Sequence, residues 1–146
     1  VPDPPHVLTS NNGWDTVNNL DFLKTVIAKF KNAGIRTSIF LNPDPDMVAS
    51  AAKTGTDRIE LYTEAYAVNF HKQKESAIEA YITTAERAVE LGLGINAGHD
   101  LDLHNLQYFC QNVPGLLEVS IGHALICDAL EFGMSNTVRM YLQQLK

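Results

Sequence analysis

Leu91-Gly-Leu-Gly-Ile-Asn-Ala-Gly-His99 and Leu116-Leu-Glu-Val-Ser-Ile-Gly-His123 are the two stretches whose reading decides the fold. Each holds a short apolar run and ends in Gly-His. Leu93–Ala97 and Leu116–Ile121 are too short for helices and are bounded by Gly92 and by Pro114-Gly115, so both read as buried strands. Between them, about Leu103 to Gln111 is spaced as a brief helix that turns Leu106 and Phe109 inward. A strand, a helix and a second strand of the same kind make a parallel pair, because parallel strands need a crossover rather than a hairpin.

Upstream the pattern repeats. Arg36–Leu41 (RTSIFL) is β-branched and aromatic, and Asn42-Pro43-Asp44-Pro45 breaks it. Asp44 or Asp46 is placed to cap a short helix that runs to about Thr54 and stops at Gly55. Asp57–Thr63 (DRIELYT) reads as a further strand. A loop through Phe70 and His71 then leads to a helix over about Lys74–Leu91. Ahead of all this, Val1–Gly13 is a proline-rich loop, and Asp15–Ala33 spaces Val17, Leu20, Leu23, Val26, Ile27 and Phe30 as a helical stripe that Gly34 ends. The last region, His123–Leu145, is helical with a division at Gly133. The order is one helix followed by four βα units. Two architectures fit: a small open doubly wound sheet, or half of a (β/α)8 TIM barrel, since 146 residues are too few for eight strands.

Composition narrows the function. A net charge of −6 with only 11 Lys and Arg argues against nucleic-acid binding, which needs a basic patch. No apolar run approaches a membrane span, so neither nucleic acid nor membrane is an expected partner. Cys110 and Cys127 fit no zinc or redox spacing and read as thiols of a reducing, cytoplasmic setting. The chain opens at Val1 rather than Met, which raises the expectation of further sequence upstream.

Parallel α/β folds place their sites at the carboxyl ends of the strands. Glu60 lies between Ile59 and Leu61, where a carboxylate is costly unless it has a partner or a proton; the plainer alternative is an exposed edge position. His99 and His123 occupy one structural station of successive strands, each after a glycine that lets a ligand approach the backbone. Gly122 with His123 also opens a helix, where free N–H groups suit a phosphate. Thr9 and Ser10 offer hydroxyls from the opening loop. Asp100 and Asp102 read as turn and capping residues, with the alternative that Asp100 orients His99. Glu60, His99 and His123 have the residue types of a metal site, but no spacing demands one.

The runs LGLGINAGHDL and EVSIGHALICDALEFGM, with RTSIFLNPDPDMVASAAKTGTDRIELYTEAYA and the opening VPDPPHVLTSNNGW, resemble the C-terminal part of the pyridoxine 5′-phosphate synthase family along essentially the whole chain. That resemblance implies a (β/α)8 barrel of which these residues are strands five to eight. It implies condensation of 1-deoxy-D-xylulose 5-phosphate with 3-amino-2-oxopropyl phosphate, releasing inorganic phosphate and water, with no cofactor and no metal. His99 corresponds to the catalytic proton donor and Glu60 to a transition-state-stabilising glutamate. Thr9, Asp100, Gly122 and His123 fall at substrate-holding positions. Two departures stand out: Asp100 replaces a glycine after the histidine, and Glu64 replaces the glycine of a T-G-x-Y-A segment. The family's first-half residues have no counterpart in this chain, so the expectation is a fragment inactive alone and prone to associate, with itself as a homo-oligomer or with the missing half. Two rivals remain: a non-catalytic phosphate-binding α/β module, and a metal-dependent barrel hydrolase.

Overall fold

The computed structural model describes residues 1–146 as four strands and six helices. After α1 (Leu20–Asn32) come β1 (Ser38–Leu41), α2 (Pro45–Lys53), β2 (Arg58–Tyr62), α3 (Glu64–Glu90), β3 (Gly94–Gly98), α4 (Leu106–Asn112), β4 (Leu116–Ser120), α5 (His123–Phe132) and α6 (Met134–Gln144). No helix is long and apolar enough to cross a membrane.

All strand pairs are parallel, and the strands lie in chain order β1-β2-β3-β4. A doubly wound sheet needs a point where the order reverses. Here it never does, so every crossover advances in one direction, as in a segment of a TIM barrel. Side-chain alternation then divides the sheet. Ile39, Leu41, Ile59, Leu61, Ile95 and Ala97 join one buried cluster with Val48 and Ala51 of α2, Ile78, Tyr81 and Ala85 of α3, and Phe109 of α4. The opposite face carries Phe40, Glu60, Asn96 and Glu118 as one cross-strand row, with Tyr62, Gly98 and Ser120 in the next.

Several boundaries differ from the periodicity reading, each for a local reason. Residues before Leu20 turn instead of coiling, because the Asp15 carboxylate accepts from Asn18 N at 2.9 Å and from its side-chain amide at 2.6 Å. Buried Thr16 is also tied to α2, donating to Met47 O and accepting from Ser50 Oγ through its carbonyl. Val17 and Phe30 of the expected stripe are exposed, while Leu23 and Ile27 are buried. β1 begins two residues late, since Thr37 N donates to the Asp57 carboxylate at 2.8 Å. α2 is capped by Asp44, which accepts from Asp46 N and Met47 N, with Pro45 in the first turn.

The segment through Phe70 and His71 is helical, not a loop. α3 starts directly after β2 and is broken at Gln73 (φ −152°, ψ 76°). Aromatic packing makes this first part worthwhile: Tyr66 meets Phe70, Tyr81 and Phe109 at ring-centroid distances of 5.0–5.9 Å. The buried Tyr81 hydroxyl donates to Tyr62 O at 2.9 Å and accepts from Tyr66 N at 3.3 Å, spanning the break. The division at Gly133 stands as expected, with φ +77° between α5 and α6.

Two outcomes test this account. Tyr81→Phe removes one donor and one acceptor partner from buried backbone, and is expected to lower unfolding free energy by about 1–3 kcal/mol in urea titration. Asp57 is held at about 2, below its ordinary 3.8, chiefly by the Thr37 N–H and then by Lys31. A depressed carboxyl stabilises the fold above its unfolded value and loses that contribution as pH falls toward the folded one. Asp57→Asn is therefore expected to be less stable than wild type at pH 7, with the gap closing between pH 4 and pH 2.

Candidate active site

The carboxyl end of β3 gathers hydrogen bonds from β2, β4 and the opening loop around one histidine. Gly98 ends the strand because nothing larger fits: a Cβ there would lie 2.7 Å from Glu60 Oε1 and 2.7 Å from Ser120 O. His99 follows with φ +94°, the only positive value at a non-glycine residue. Such a conformation costs on the order of 1–3 kcal/mol and persists only when its surroundings impose it. They do. Thr63 is fully buried; its hydroxyl donates to Gly98 O at 2.8 Å and accepts from Asp100 N at 3.2 Å. His99 N donates to Ser120 O at 3.2 Å, and Asn105 Nδ2 donates to Asp100 O at 3.2 Å.

Both imidazole nitrogens are engaged. Nδ1 lies 2.7 Å from Asp100 Oδ2, and Nε2 lies 2.8 Å from Thr9 Oγ1. The Tyr62 ring meets the imidazole edge-on, with centroids 5.1 Å apart and planes at 90°. The opening loop that delivers Thr9 is folded back by a Ser10–Asp3 hydrogen bond. It is anchored to the end of β1 through Asn12–Asn42 at 2.5 Å and Gly13 N–Asn42 Oδ1 at 3.1 Å.

Glu60 stands half-buried in the row beneath Gly98. Burial pushes its carboxyl above the ordinary value, with Glu118 adding to the shift and His99 opposing it. It is not a solvated edge residue, because β2 lies between β1 and β3. Tyr62 is pushed up to about 12, by burial first and then by its hydrogen bond to Glu64, so its hydroxyl remains a donor.

The structure thus brings Thr9, Glu60, His99 and Asp100 together. Gly122 and His123 follow β4, next to β3, without a hydrogen bond to that set. Gly122 caps α5, His123 is its exposed first residue, and no hydrogen bond joins His123 to the others. Asp102 is a turn residue, accepting from His104 N and Asn105 N ahead of α4, whose N-cap is Asn105. No group of three His, Cys, Asp or Glu side chains is arranged to hold a metal ion, so Glu60, His99 and His123 supply no ligand set for the hydrolase alternative.

The periodicity reading missed the rest of the polar face. Arg58 Nη1 donates to Asn96 Oδ1 at 2.9 Å and pairs with Glu118, which Arg36 also approaches at 3.6 Å. The signal was present in DRIELY, whose polar residues alternate with Ile59 and Leu61. Also missed was a recess of about 350 Å³ beside Tyr62, lined by Asn11, Asn12, Asn42, Pro43 and Glu64.

Fold and site define a parallel βα-unit protein whose chemistry-bearing side chains gather at the carboxyl ends of its strands. The family model for pyridoxal phosphate biosynthesis protein PdxJ matches residues 1–146. A protein of Cytophaga hutchinsonii called pyridoxine 5′-phosphate synthase is 59% identical over 146 residues, all of this chain and 61% of that protein. Proteins of the same name from Flavobacterium johnsoniae and Porphyromonas gingivalis are 58% and 57% identical, over 100% and 99% of this chain and 62% and 61% of theirs. The chain belongs to the PdxJ family, and it spans about three-fifths of the length of these relatives.

Gly98→Ala tests the packing beneath His99. It is expected to cost about 1–3 kcal/mol in denaturant unfolding, because Glu60 or the β4 backbone must move. Gly122→Ala, with open space at its Cβ, is expected to change stability by less than about 0.5 kcal/mol in the same measurement.

Proposed function

We propose that this chain is strands five to eight of a (β/α)8 barrel that makes pyridoxine 5′-phosphate from 1-deoxy-D-xylulose 5-phosphate and 3-amino-2-oxopropyl phosphate. Three observations support the barrel. The strand order is sequential, the sheet has one apolar and one polar face, and the relatives are longer than this chain. The sheet's free edges are flanked by exposed apolar side chains, including Phe22, Phe30 and Ile35 near β1 and Leu117 on β4. Such surface suits further strands. The same surface supports association, as a homo-oligomer or with the remaining strands, in a cytoplasmic setting.

The chemistry rests above all on His99, doubly hydrogen-bonded and set over Glu60. Imine formation, dehydration and ring closure all require a group that gives and takes protons, and an oriented imidazole does both. His99 is the proton donor in this reading, and Glu60 stabilises positive charge that develops in the ring-forming steps. Thr9, Gly122 and His123 hold the phosphorylated substrates, with the open N–H groups of α5 suited to a phosphate and to the inorganic phosphate released, while Asp100 stands at the same rim with its carboxylate on His99. No cofactor enters the scheme. The two acidic departures, Asp100 and Glu64, favour the rival non-catalytic module to the extent that they disturb substrate binding. Both carboxylates have partners, His99 and Tyr62, which weakens that argument.

The test is a chimera that joins the remaining N-terminal strands of the Cytophaga hutchinsonii relative to this chain. Product formation is expected from the chimera and not from the 146 residues alone. His99→Ala should lower its turnover by about 10²–10⁴-fold while the folded-state circular dichroism is kept. A folded chimera that binds inorganic phosphate but makes no product would overturn the synthase reading, and turnover by the chain alone would overturn the half-barrel.

A further inference from the structure

We propose that Asp100 is a positioning residue for His99: its carboxylate fixes the tautomer and the rotation of the imidazole, so that Nε2, facing Thr9, is the nitrogen that exchanges the proton. The reaction this serves rests on the synthase reading, but the geometry does not.

The carboxylate of Asp100 can only accept, so the 2.7 Å contact places a hydrogen on Nδ1. The neutral ring then has its lone pair on Nε2, where the Thr9 hydroxyl at 2.8 Å donates to it. When Nε2 carries a proton, the same hydroxyl accepts. Thr9 therefore follows either protonation state without moving, whereas Asp100 serves only one tautomer. The ring has little freedom to escape this arrangement: Tyr62 stands edge-on against it, and the φ of +94° aims the side chain.

A purely structural role for the Asp100 carboxylate finds no support in its contacts. The backbone of Asp100 already holds the turn, its N–H on Thr63 Oγ1 and its carbonyl on Asn105 Nδ2. The carboxylate itself has one partner, His99. Removing the side chain leaves the turn's own hydrogen bonds in place and strips the imidazole of the group that selects its tautomer. A buried or half-buried carboxylate on Nδ1 is the general device by which a histidine is held ready to work through Nε2.

The experiment reads the tautomer directly. Protein labelled with ¹⁵N at histidine is examined by long-range proton–nitrogen correlation at a pH where the ring is neutral, and the His99 signals are identified by their loss in His99→Gln. Wild type is expected in the Nδ1–H form. Asp100→Ala is expected to shift the population to mostly Nε2–H, with a thermal midpoint close to wild type. In the chimera described above, Asp100→Ala should lower kcat about 10- to 100-fold with KM changed less than about threefold. Persistence of the Nδ1–H form in Asp100→Ala, or an Nε2–H form in wild type, would overturn the proposal. An inactive wild-type chimera with the expected change of tautomer would remove the synthase reading and leave Asp100 positioning His99.

Discussion

Thr63 Oγ1 joins two strand ends with one atom. It donates to Gly98 O and accepts from Asp100 N, fully buried between β2 and β3. A hydroxyl is the smallest group that can do both at once, and a buried one left unmatched would cost about 1–3 kcal/mol. The peptide unit on either side of His99 is thereby held from below. The unfavourable φ of His99 follows from that clamp together with the His99 N–H on Ser120 O. Every feature of the site is downstream: the imidazole's direction, its reach to Thr9, and the placing of the Asp100 carboxylate against Nδ1.

The clamp works because the sheet beneath it is two-sided. Packing against α2, α3 and α4 requires Ile59, Leu61, Ile95 and Ala97 to face the helices. A period of two then forces Arg58, Glu60, Tyr62, Asn96 and Gly98 onto the other face. The polar groups that β2 and β3 place there are partly or fully withdrawn from solvent. Arg58 answers Asn96 and Glu118, and Asn96 is itself buried. Glu60 has the raised pKa of a desolvated acid. This is consistent with part of a barrel interior, where side chains from neighbouring strands fill layers.

Much of this was legible in the residues. The four strands, the Asp44 cap and the break at Gly133 follow from apolar runs, proline and glycine placement. So did the nearness of His99 and Glu60, because a parallel sheet collects strand ends by topology. The first half of α3 was hidden because Tyr66 and Phe70 are stabilised by Tyr81 and Phe109, residues distant in sequence. The late start of α1 was hidden because the Asp15 side chain competes with the helix for Asn18 N. His123 leaves its strand differently from His99. The same Gly-His dipeptide ends one strand and starts a helix at the other, so its side chain stands exposed while that of His99 is held by Thr9 and Asp100.

Under the proposed synthase reading, two carboxylates stand at the rim of a site that takes phosphorylated compounds, which looks like an electrostatic contradiction. The contacts of each reduce it. Asp100 faces the hydrogen on His99 Nδ1, and Glu64 accepts from Tyr62 Oη at 2.9 Å. A carboxylate that accepts such a bond spreads part of its charge onto the donor and is oriented by it. The acidic replacements are therefore compatible with an anionic substrate so long as each acts on its aromatic neighbour rather than on the ligand. What separates this chain from a site with glycine at both places is the means by which His99 and Tyr62 are oriented: side-chain hydrogen bonds add to the backbone clamp.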